Sequence, residues 1–586
     1  YYTNDGYINF FVDRDDGDSR VRARITLNRW IHVVGTFDGS KLRLYLNGEL
    51  ASESDFSGAF DHSSGPLRIG YGHGTHYWQG GIDDVAVYSA VLAQERIRAH
   101  LRAKHGSVSI ELVDDSRATA LTIATATDND GEYLWTLPDS LTPATNYRIR
   151  IGRDDPALTD ASNNNFEITA PISVYYVNDA TVEQGDWCTA PGAPENDGLT
   201  PATPKDSVSA VLEAFELGPE DTVRVDNGDY DLVVNIVVTA ADAGVRIQGY
   251  HDGAYPARAA VLDRGNTASG SYVFDLQNGD GIRLERLSIT GGETGIHASS
   301  SSDSDDVTIT NCRIYGNAEY GLWAGSGNDR LEVSACTLYG DRTSSGQEYG
   351  IQVSGDGVLI SGNVVRDHYR DGINCQSDQV IVGNTVSDNQ GTGIECTTSF
   401  TGTIRENTVT GSGLRGIYGT GSSSDWCRVE DNTVSGSGDD GIYAHHDCLV
   451  SGNISHSNGA VGVELYSGNE AVGNVVYANV GSGIWASLTN VIRENRCYDN
   501  AGTAGIVMQR SGVITGNVVY SNVTGIYGRG DSTNSTFRGH VANNLVYDNS
   551  DFGIQIRYAG ASSSGHARLV NNTVYQEVGD AIYVHT

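Results

Sequence analysis

One pattern dominates the second half of the chain. From about residue 280 an apolar-x-x-Asn-x-Val/Ile-polar motif recurs, followed a few residues later by Gly-Ile. The asparagines fall at Asn363, Asn384, Asn407, Asn432, Asn453, Asn474, Asn495, Asn517, Asn544 and Asn572, and the column runs upstream through Cys336, Cys312 and Leu287. The period is about 24 residues. Gly372-Ile373, Gly393-Ile394, Gly416-Ile417, Gly441-Ile442, Gly483-Ile484, Gly525-Ile526 and Gly553-Ile554 keep step with it. A fixed period in the low twenties, with two or three short β runs per repeat and no helical pattern, predicts a right-handed parallel β-helix. One coil cannot bury its own apolar face, whereas a stack of coils builds a continuous core. The Val or Ile two residues after each Asn is expected to point inward, as are the Ile of Gly-Ile and the residue two further on. The Asn column is expected to be a ladder inside the turns, bonding side chain to backbone from coil to coil. Thirteen or more coils at strand spacing give a rod on the order of 60 Å long.

The repeat has a recognisable entry. VYYVNDA (174–180) precedes KDSVSAVLEAFELG (205–218), in which Val208, Val211, Leu212 and Phe215 share one helical face, so a short amphipathic helix is predicted to cap the first coil. The 72 glycines then read as turns of the coil repeat rather than as collagen or linker. The chain begins at Tyr1 and stops at Thr586 inside a repeat, and the expectation is a section of a longer or processed protein with open edges that pair with copies of itself.

Ahead of the repeat lie two further segments. Residues 1–103 alternate short apolar runs with turn signals: Ile31 to Val34, then Asp38-Gly39, then Leu42 to Leu46, then Asn47-Gly48, a hairpin pattern. Through WIHVVGTFDGSKLRLYLNGEL (30–50), PLRIGYG (66–72) and GGIDDVAVYSAVLAQERI (80–97) this segment resembles the laminin-G-like, concanavalin-type jelly rolls, whose front strands have no counterpart before Tyr1. The resemblance implies glycan or protein binding, with calcium as a possible cofactor at Asp83 and Asp84. A turn organised by one of those carboxylates is the alternative. Residues 107–170 alternate with period two and are rich in Thr, Val and Ile. They resemble the immunoglobulin-like domains of cell-wall and bacterial surface proteins, and imply a small β-sandwich acting as a spacer. The whole chain is therefore expected to be all-β: jelly roll, spacer, and a β-helix over 172–586. That repeat resembles the pectate-lyase-like β-helix proteins, a group that includes lyases, polygalacturonases, epimerases, tailspikes and adhesins.

Composition narrows the partners. The formal net charge is −36, so a nucleic-acid partner is excluded for want of a basic face, and a bare polyanion is disfavoured. No apolar run is long enough to span a membrane. An acidic chain rich in Asn, Ser and Thr, with only Lys41, Lys104 and Lys205 as lysines, suits an extracellular or cell-surface location. Cys312/Cys336, Cys375/Cys396 and Cys427/Cys448 occupy matching columns of adjacent coils, where Cα spacing near 5 Å admits a disulfide. Reduced, buried stacking remains equally open for them. Cys497 replaces a core Val and Cys188 has no partner in register.

Two sets of residues carry the functional expectations. The first is His368-Tyr369-Arg370-Asp371, with outward Asn374 and, one coil on, Glu395. Tyr369, Arg370, Asp371 and Glu395 are the candidate catalytic residues, since acting on a uronate needs a cation for the carboxylate, a base and an acid, and a hydrolase needs two carboxylates. His445, His446 and Asp447 lie some three coils away. The second set is the outward column after Ile of Gly-Ile, in which Trp323, Asn374, Tyr418, Tyr443, Trp485, Tyr527 and Tyr583 form a candidate face for glycan or another protein. The leading expectation is an extracellular structural or adhesive protein with glycan-binding capacity. The alternative is a secreted polysaccharide lyase, epimerase or hydrolase with a lectin-like targeting module.

Overall fold

A computed structural model describes the chain except at residues 1, 4–5, 13–18, 57–68, 70–79, 106, 117, 130–131, 139–140, 143, 154–157, 169–172, 184, 251–258, 398–399, 423–424, 531–535, 560, 563–564 and 586. The chain divides into two compact units, residues 1–171 and 172–586.

In the first unit, strands Val33–Phe37, Lys41–Leu46 and Glu49–Asp55 form an antiparallel meander. Both of its turns are legible in the sequence. The Asp38 carboxylate accepts the backbone N–H of Ser40 and of Lys41. Asn47 and Gly48 both adopt positive φ, +47° and +83°, as a two-residue hairpin turn requires. Leu42 and Leu44 alternate inward and are buried with Val21, Ala23 and Phe56. Of the 66–72 segment only Ile69 lies within the described residues. Further on, Ser107–Val113, Thr119–Asp128 and Ala144–Arg153 are antiparallel neighbours. The last of these also pairs with Thr159–Ala161 and Phe166–Ile168, around a core of Leu112, Tyr147 and Ile168.

The second unit is a right-handed parallel β-helix of about 14 turns. Each coil contributes three strands, for example Ile373–Gln376, Val380–Val382 and Thr385–Ser387. Stacked coil on coil, they make three faces. Face one is built from the strands that follow Gly-Ile, and face two from the strands after those. Face three is built from the strands that follow the Asn column and forms one sheet of fifteen strands. Helix Val208–Ala214 stands at the entry, capped by Ser207, whose hydroxyl accepts the Ala210 N–H, with Val208 and Val211 buried. The inward positions Ile373, Cys375, Ile381 and Val386 are all fully buried, as are their equivalents Ile394, Cys396, Ile404 and Val409 on the next coil.

The asparagine ladder is present in full. The Asn384 Oδ1 accepts both the Asn363 backbone N–H (2.9 Å) and its side-chain amide (3.0 Å), while Asn384 Nδ2 donates to Ile360 O and to Asn407 Oδ1. The chain turns into each ladder residue through a left-handed residue, such as Gly362 (φ +62°) or Gly383 (φ +65°). A second ladder runs five residues further along: Asn389, Asn458, Asn479, Asn500, Asn522 and Asn549, continued by Gln576. It is likewise entered through left-handed residues, among them Asp367 and Asp388. No helix among the described residues is long and apolar enough to cross a membrane.

All eight cysteines are free and buried in the structure, which has Cys312/Cys336, Cys375/Cys396 and Cys427/Cys448 in the reduced stacking that stood open beside a disulfide. The register does align Cys375 with Cys396 and Cys427 with Cys448. The reason lies one atom further out than the Cα criterion reaches. Side chains of stacked parallel strands run side by side, so their Cβ atoms keep the strand spacing of about 4.8 Å. A disulfide holds them at about 3.8 Å.

Candidate functional site

Two outward columns of face one converge on a run of consecutive coils. The position after Ile of Gly-Ile gives Asn374, Glu395, Tyr418, Tyr443 and Glu464, each in register with the next. The position just before the Gly gives Asp371, Thr392, Arg415 and Asp440. Its register is fixed by Gly372 N–H donating to Thr392 O, Gly393 N–H to Arg415 O and Gly416 N–H to Asp440 O, at 3.0–3.1 Å.

Four carboxylates, one guanidinium and two phenols therefore share one patch. Asp371 accepts the Thr392 N–H (2.8 Å) and the Asn374 amide (3.1 Å), and burial raises its pKa. On the next coil Glu395 is raised by burial and then by the charge of Asp371. The same Asp-then-Glu arrangement recurs three coils on. Asp440, only 4% exposed, accepts the Val461 N–H at 3.0 Å and is raised by burial. Glu464 is pushed up to about 7 by burial and by the neighbouring Asp440. Carboxyls that exchange protons near neutral pH are what acid–base chemistry uses.

Arg415 lies between the two pairs. Its Nε stands 3.8 Å from Asp440 and 4.0 Å from Asp439, beyond hydrogen-bond range, and has no hydrogen-bond partner. The guanidinium lies 4.1 Å from the Tyr443 ring centre and 5.5 Å from that of Tyr418. The two rings stack on each other at 5.4 Å. Stacking along the axis uses up the ring faces, so the phenols offer edges and hydroxyls outward. His445 stacks on Tyr466 at 4.9 Å, and its pKa is lowered by burial and then by His446.

The structure thus brings Asp371 and Glu395 together and adds Asn374, Tyr418 and Tyr443 to them. Two other expected members go elsewhere. Arg370 pairs with Glu348 of the preceding coil at 2.7 Å and lies over Tyr349, and Tyr369 is exposed in the turn. His368 is fully buried in the second ladder, its Nδ1 3.4 Å from Gln347 O and its Nε2 unpartnered. The rings of His445 and His446 lie 4.1 Å apart at the end of strand Ile442–His446. Trp323, Trp485, Tyr527 and Tyr583 occupy the same column on other coils. Trp323 stacks on His297, Trp485 packs with Val507 and Tyr527, and Tyr583 leans on Phe552.

Sequence reasoning missed Arg415, Asp440 and the role of Glu464. Two signals were available. A charged residue directly precedes Gly-Ile at Asp371, Arg415 and Asp440, and the offset from Asp371 to Glu395 equals that from Asp440 to Glu464. In the first unit, Asp84 adopts φ +50° and donates its N–H to the Asp83 carboxylate at 2.9 Å. No group of three or more potential metal ligands occurs among the described residues.

Comparison with known proteins places both modules. The family model described as the concanavalin A-like lectin/glucanases superfamily matches residues 1–98, and that of the right-handed beta helix region matches 271–426 and 416–542. A search of curated protein sequences gave no match. Among solved structures the chain is similar to the Dettilon tailspike protein, at 17% identity and a TM-score of 0.36, over 55% of this chain and 62% of the tailspike. It is similar to the A-module of the Azotobacter vinelandii mannuronan C-5 epimerase AlgE4, at 15% identity and a TM-score of 0.34, over 62% of this chain and 90% of the module. It is also similar to the periplasmic alginate epimerase AlgG, at 14% identity and a TM-score of 0.31, over 60% of this chain and 76% of that one. The chain spans less than two thirds of the tailspike's length.

Proposed function

We propose that the chain is a carbohydrate-active protein of the cell exterior, in which the first unit holds a polysaccharide and face one of the β-helix acts on it by acid–base chemistry. The supporting observation is the pair of Asp–Glu couples on either side of Arg415. The Asp440–Glu464 couple, holding a proton near neutral pH, donates it to the glycosidic oxygen. The Asp371–Glu395 couple accepts one from water or from a sugar carbon. Glu395 and Asp440 stand two coils apart, roughly 10 Å along the axis. That is close to the separation of about 6.5–9.5 Å with which the two carboxyls of inverting glycosidases leave room for a water. The lectin/glucanase-type match of residues 1–98 supports the holding role. Calcium at Asp83 and Asp84 belongs to the same proposal and would show as glycan binding that a chelator abolishes.

The test is incubation of the whole chain with a panel of neutral and uronate-containing polysaccharides, reading new reducing ends and the absorbance of unsaturated products. Glu464→Gln and Glu395→Gln are each expected to lower turnover on the order of 100-fold or more. Absence of product and of binding across the panel would sink the proposal. Tight binding without turnover would instead select the adhesive reading: a surface or matrix component that retains glycan, self-associating through its coil edges. The long continuous stack of coils favours that second reading, and sedimentation of the intact chain tests its self-association.

A further inference from the structure

We propose that Arg415 is a specificity residue that receives a single oxyanion of the glycan, a carboxylate or a sulfate, and that face one therefore selects polysaccharides whose charged sugars are separated by neutral ones. The inference rests on face one being the glycan site. Three observations carry it. First, Arg415 is a guanidinium held without being satisfied: its Nε has no hydrogen-bond partner and the nearest carboxylates stand at 3.8 and 4.0 Å. Arg370, which directly precedes Asp371, is by contrast already engaged with Glu348 at 2.7 Å. Second, the Arg415 guanidinium lies 4.1 Å from the Tyr443 ring centre and 5.5 Å from that of Tyr418, an aromatic setting that suits a guanidinium fork receiving an oxyanion.

Third, the flanks are acidic on both sides. Moving along the axis from Arg415, a chain meets Glu395 and Asp371 one way and Asp440 and Glu464 the other, with Asn374, Thr392, Tyr418 and Tyr443 as neutral company. A polymer charged at every sugar would set its neighbouring anions against those carboxylates, and like charges set against each other across an interface disfavour the wrong partner. A polymer with one anion between neutral sugars sets hydroxyl donors there instead.

The experiment measures binding of the whole chain to four glycans of matched length: a neutral β-glucan, polygalacturonate, hyaluronan (one uronate alternating with a neutral amino sugar) and keratan sulfate (sulfated, with no uronate). Hyaluronan or keratan sulfate is expected to bind at least tenfold tighter than polygalacturonate, and the stronger of the two identifies carboxylate or sulfate as the source. Arg415→Gln should weaken that binding at least tenfold, and Arg415→Lys should restore part of it, since lysine keeps the charge but loses the fork. Matching circular dichroism of both variants and wild type excludes unfolding as the cause. Polygalacturonate binding as tightly as the alternating glycans, or wild-type affinity in Arg415→Gln, overturns the inference. If the neutral glucan is bound or processed and the loss follows Glu395→Gln and Glu464→Gln only, the proposed function stands and the Arg415 inference falls. If no glycan engages the chain at all, both fall.

Discussion

His368 offers a sharp test of the interior. On the neighbouring coil the second ladder uses Asn389, whose Oδ1 accepts the His368 N–H. The imidazole fills the ladder position with no exposure to solvent and leaves its Nε2 without a partner. Burial lowers its pKa from 6.5 to about 4. The folded pKa lies below the unfolded one, so the unfolded chain binds the proton more tightly. Stability from this group is therefore complete above pH 6.5, falls as pH drops from 6.5 to 4, and is flat below. A drop of about 2.5 pH units at about 1.4 kcal/mol per unit gives a full loss of about 3.5 kcal/mol, of which about 2 kcal/mol is reached by pH 5. His368→Asn removes the titrating group and puts the ladder's own side chain in its place. Other groups titrate in the same range, but they are common to both proteins and cancel in the difference between variant and wild type. Urea unfolding of the β-helix, followed by tryptophan fluorescence at pH 8 and pH 5, should show His368→Asn gaining about 2 kcal/mol on wild type between the two conditions. A difference between the proteins that does not change with pH would refute a neutral, buried His368.

Asn432→Ala should destabilise the β-helix by about 2–5 kcal/mol in the same assay, because it orphans the Asn407 N–H and the Ile404 carbonyl inside the core. Gly383→Ala, at φ +65° with open space around the added methyl, should cost only about 1–2 kcal/mol of backbone strain. Gly393→Ala should cost more, since its methyl would stand 2.5 Å from Val409 Cγ1 and 2.7 Å from Gly416 O. A thiol reagent should label none of the eight cysteines in the native chain and all eight in denaturant; a mass deficit of two hydrogens per pair before reduction would contradict the Cβ-spacing argument. Glu464→Gln should stabilise the fold at pH 8, because a carboxyl raised from 4.5 to about 7 is a burden above its unfolded pKa, and the advantage should vanish by pH 4.

What the sequence made legible follows from what a coil repeat averages. The Asn column, the Gly-Ile column and the inward Val and Ile recur often enough that single exceptions, such as Ser455 in a Val position, leave the period intact. The second ladder was equally regular, five residues after the first, but its register is shared by Asn389, Ser412, Ser437 and Asn458, and by His368 itself. Mixed polar types hide a column that a single residue type reveals. His368 therefore read as part of a surface polar run, when the left-handed residue before it, Asp367, turns its side chain into the core. The site was legible only by halves. Asp371 and Glu395 stood close in sequence-derived register, whereas Arg415 acts by reaching across coils, and nothing in a one-dimensional spacing shows which way a long side chain leans.

The placement of the Asp–Glu couples argues that face one is not arranged for stability alone. Stacking puts every residue about 4.8 Å from its counterparts on the coils above and below. Like charges on adjacent coils are therefore costly. One aspartate column, Asp280, Asp305, Asp329 and Asp356, offsets that cost by accepting a backbone N–H from each next coil, and other columns are uncharged: the threonines and serines of face three at Thr385, Ser387, Thr408, Thr410, Thr433 and Ser435, or the stacked tyrosines Tyr477, Tyr498, Tyr520 and Tyr547 at 4.9–5.0 Å. Face one could carry the same residues. Asn374 and Thr392 show that neutral side chains fit beside Asp371 and Glu395, and Thr392 shares a column with Asp371. Two couples are nevertheless kept half-buried and hard to ionise, with a guanidinium between them that pairs fully with neither. Burial that raises the pKa of both couples, repeated three coils apart and around one cation, marks the stretch from Asp371 to Glu464 as the part of the rod whose residues answer to a ligand.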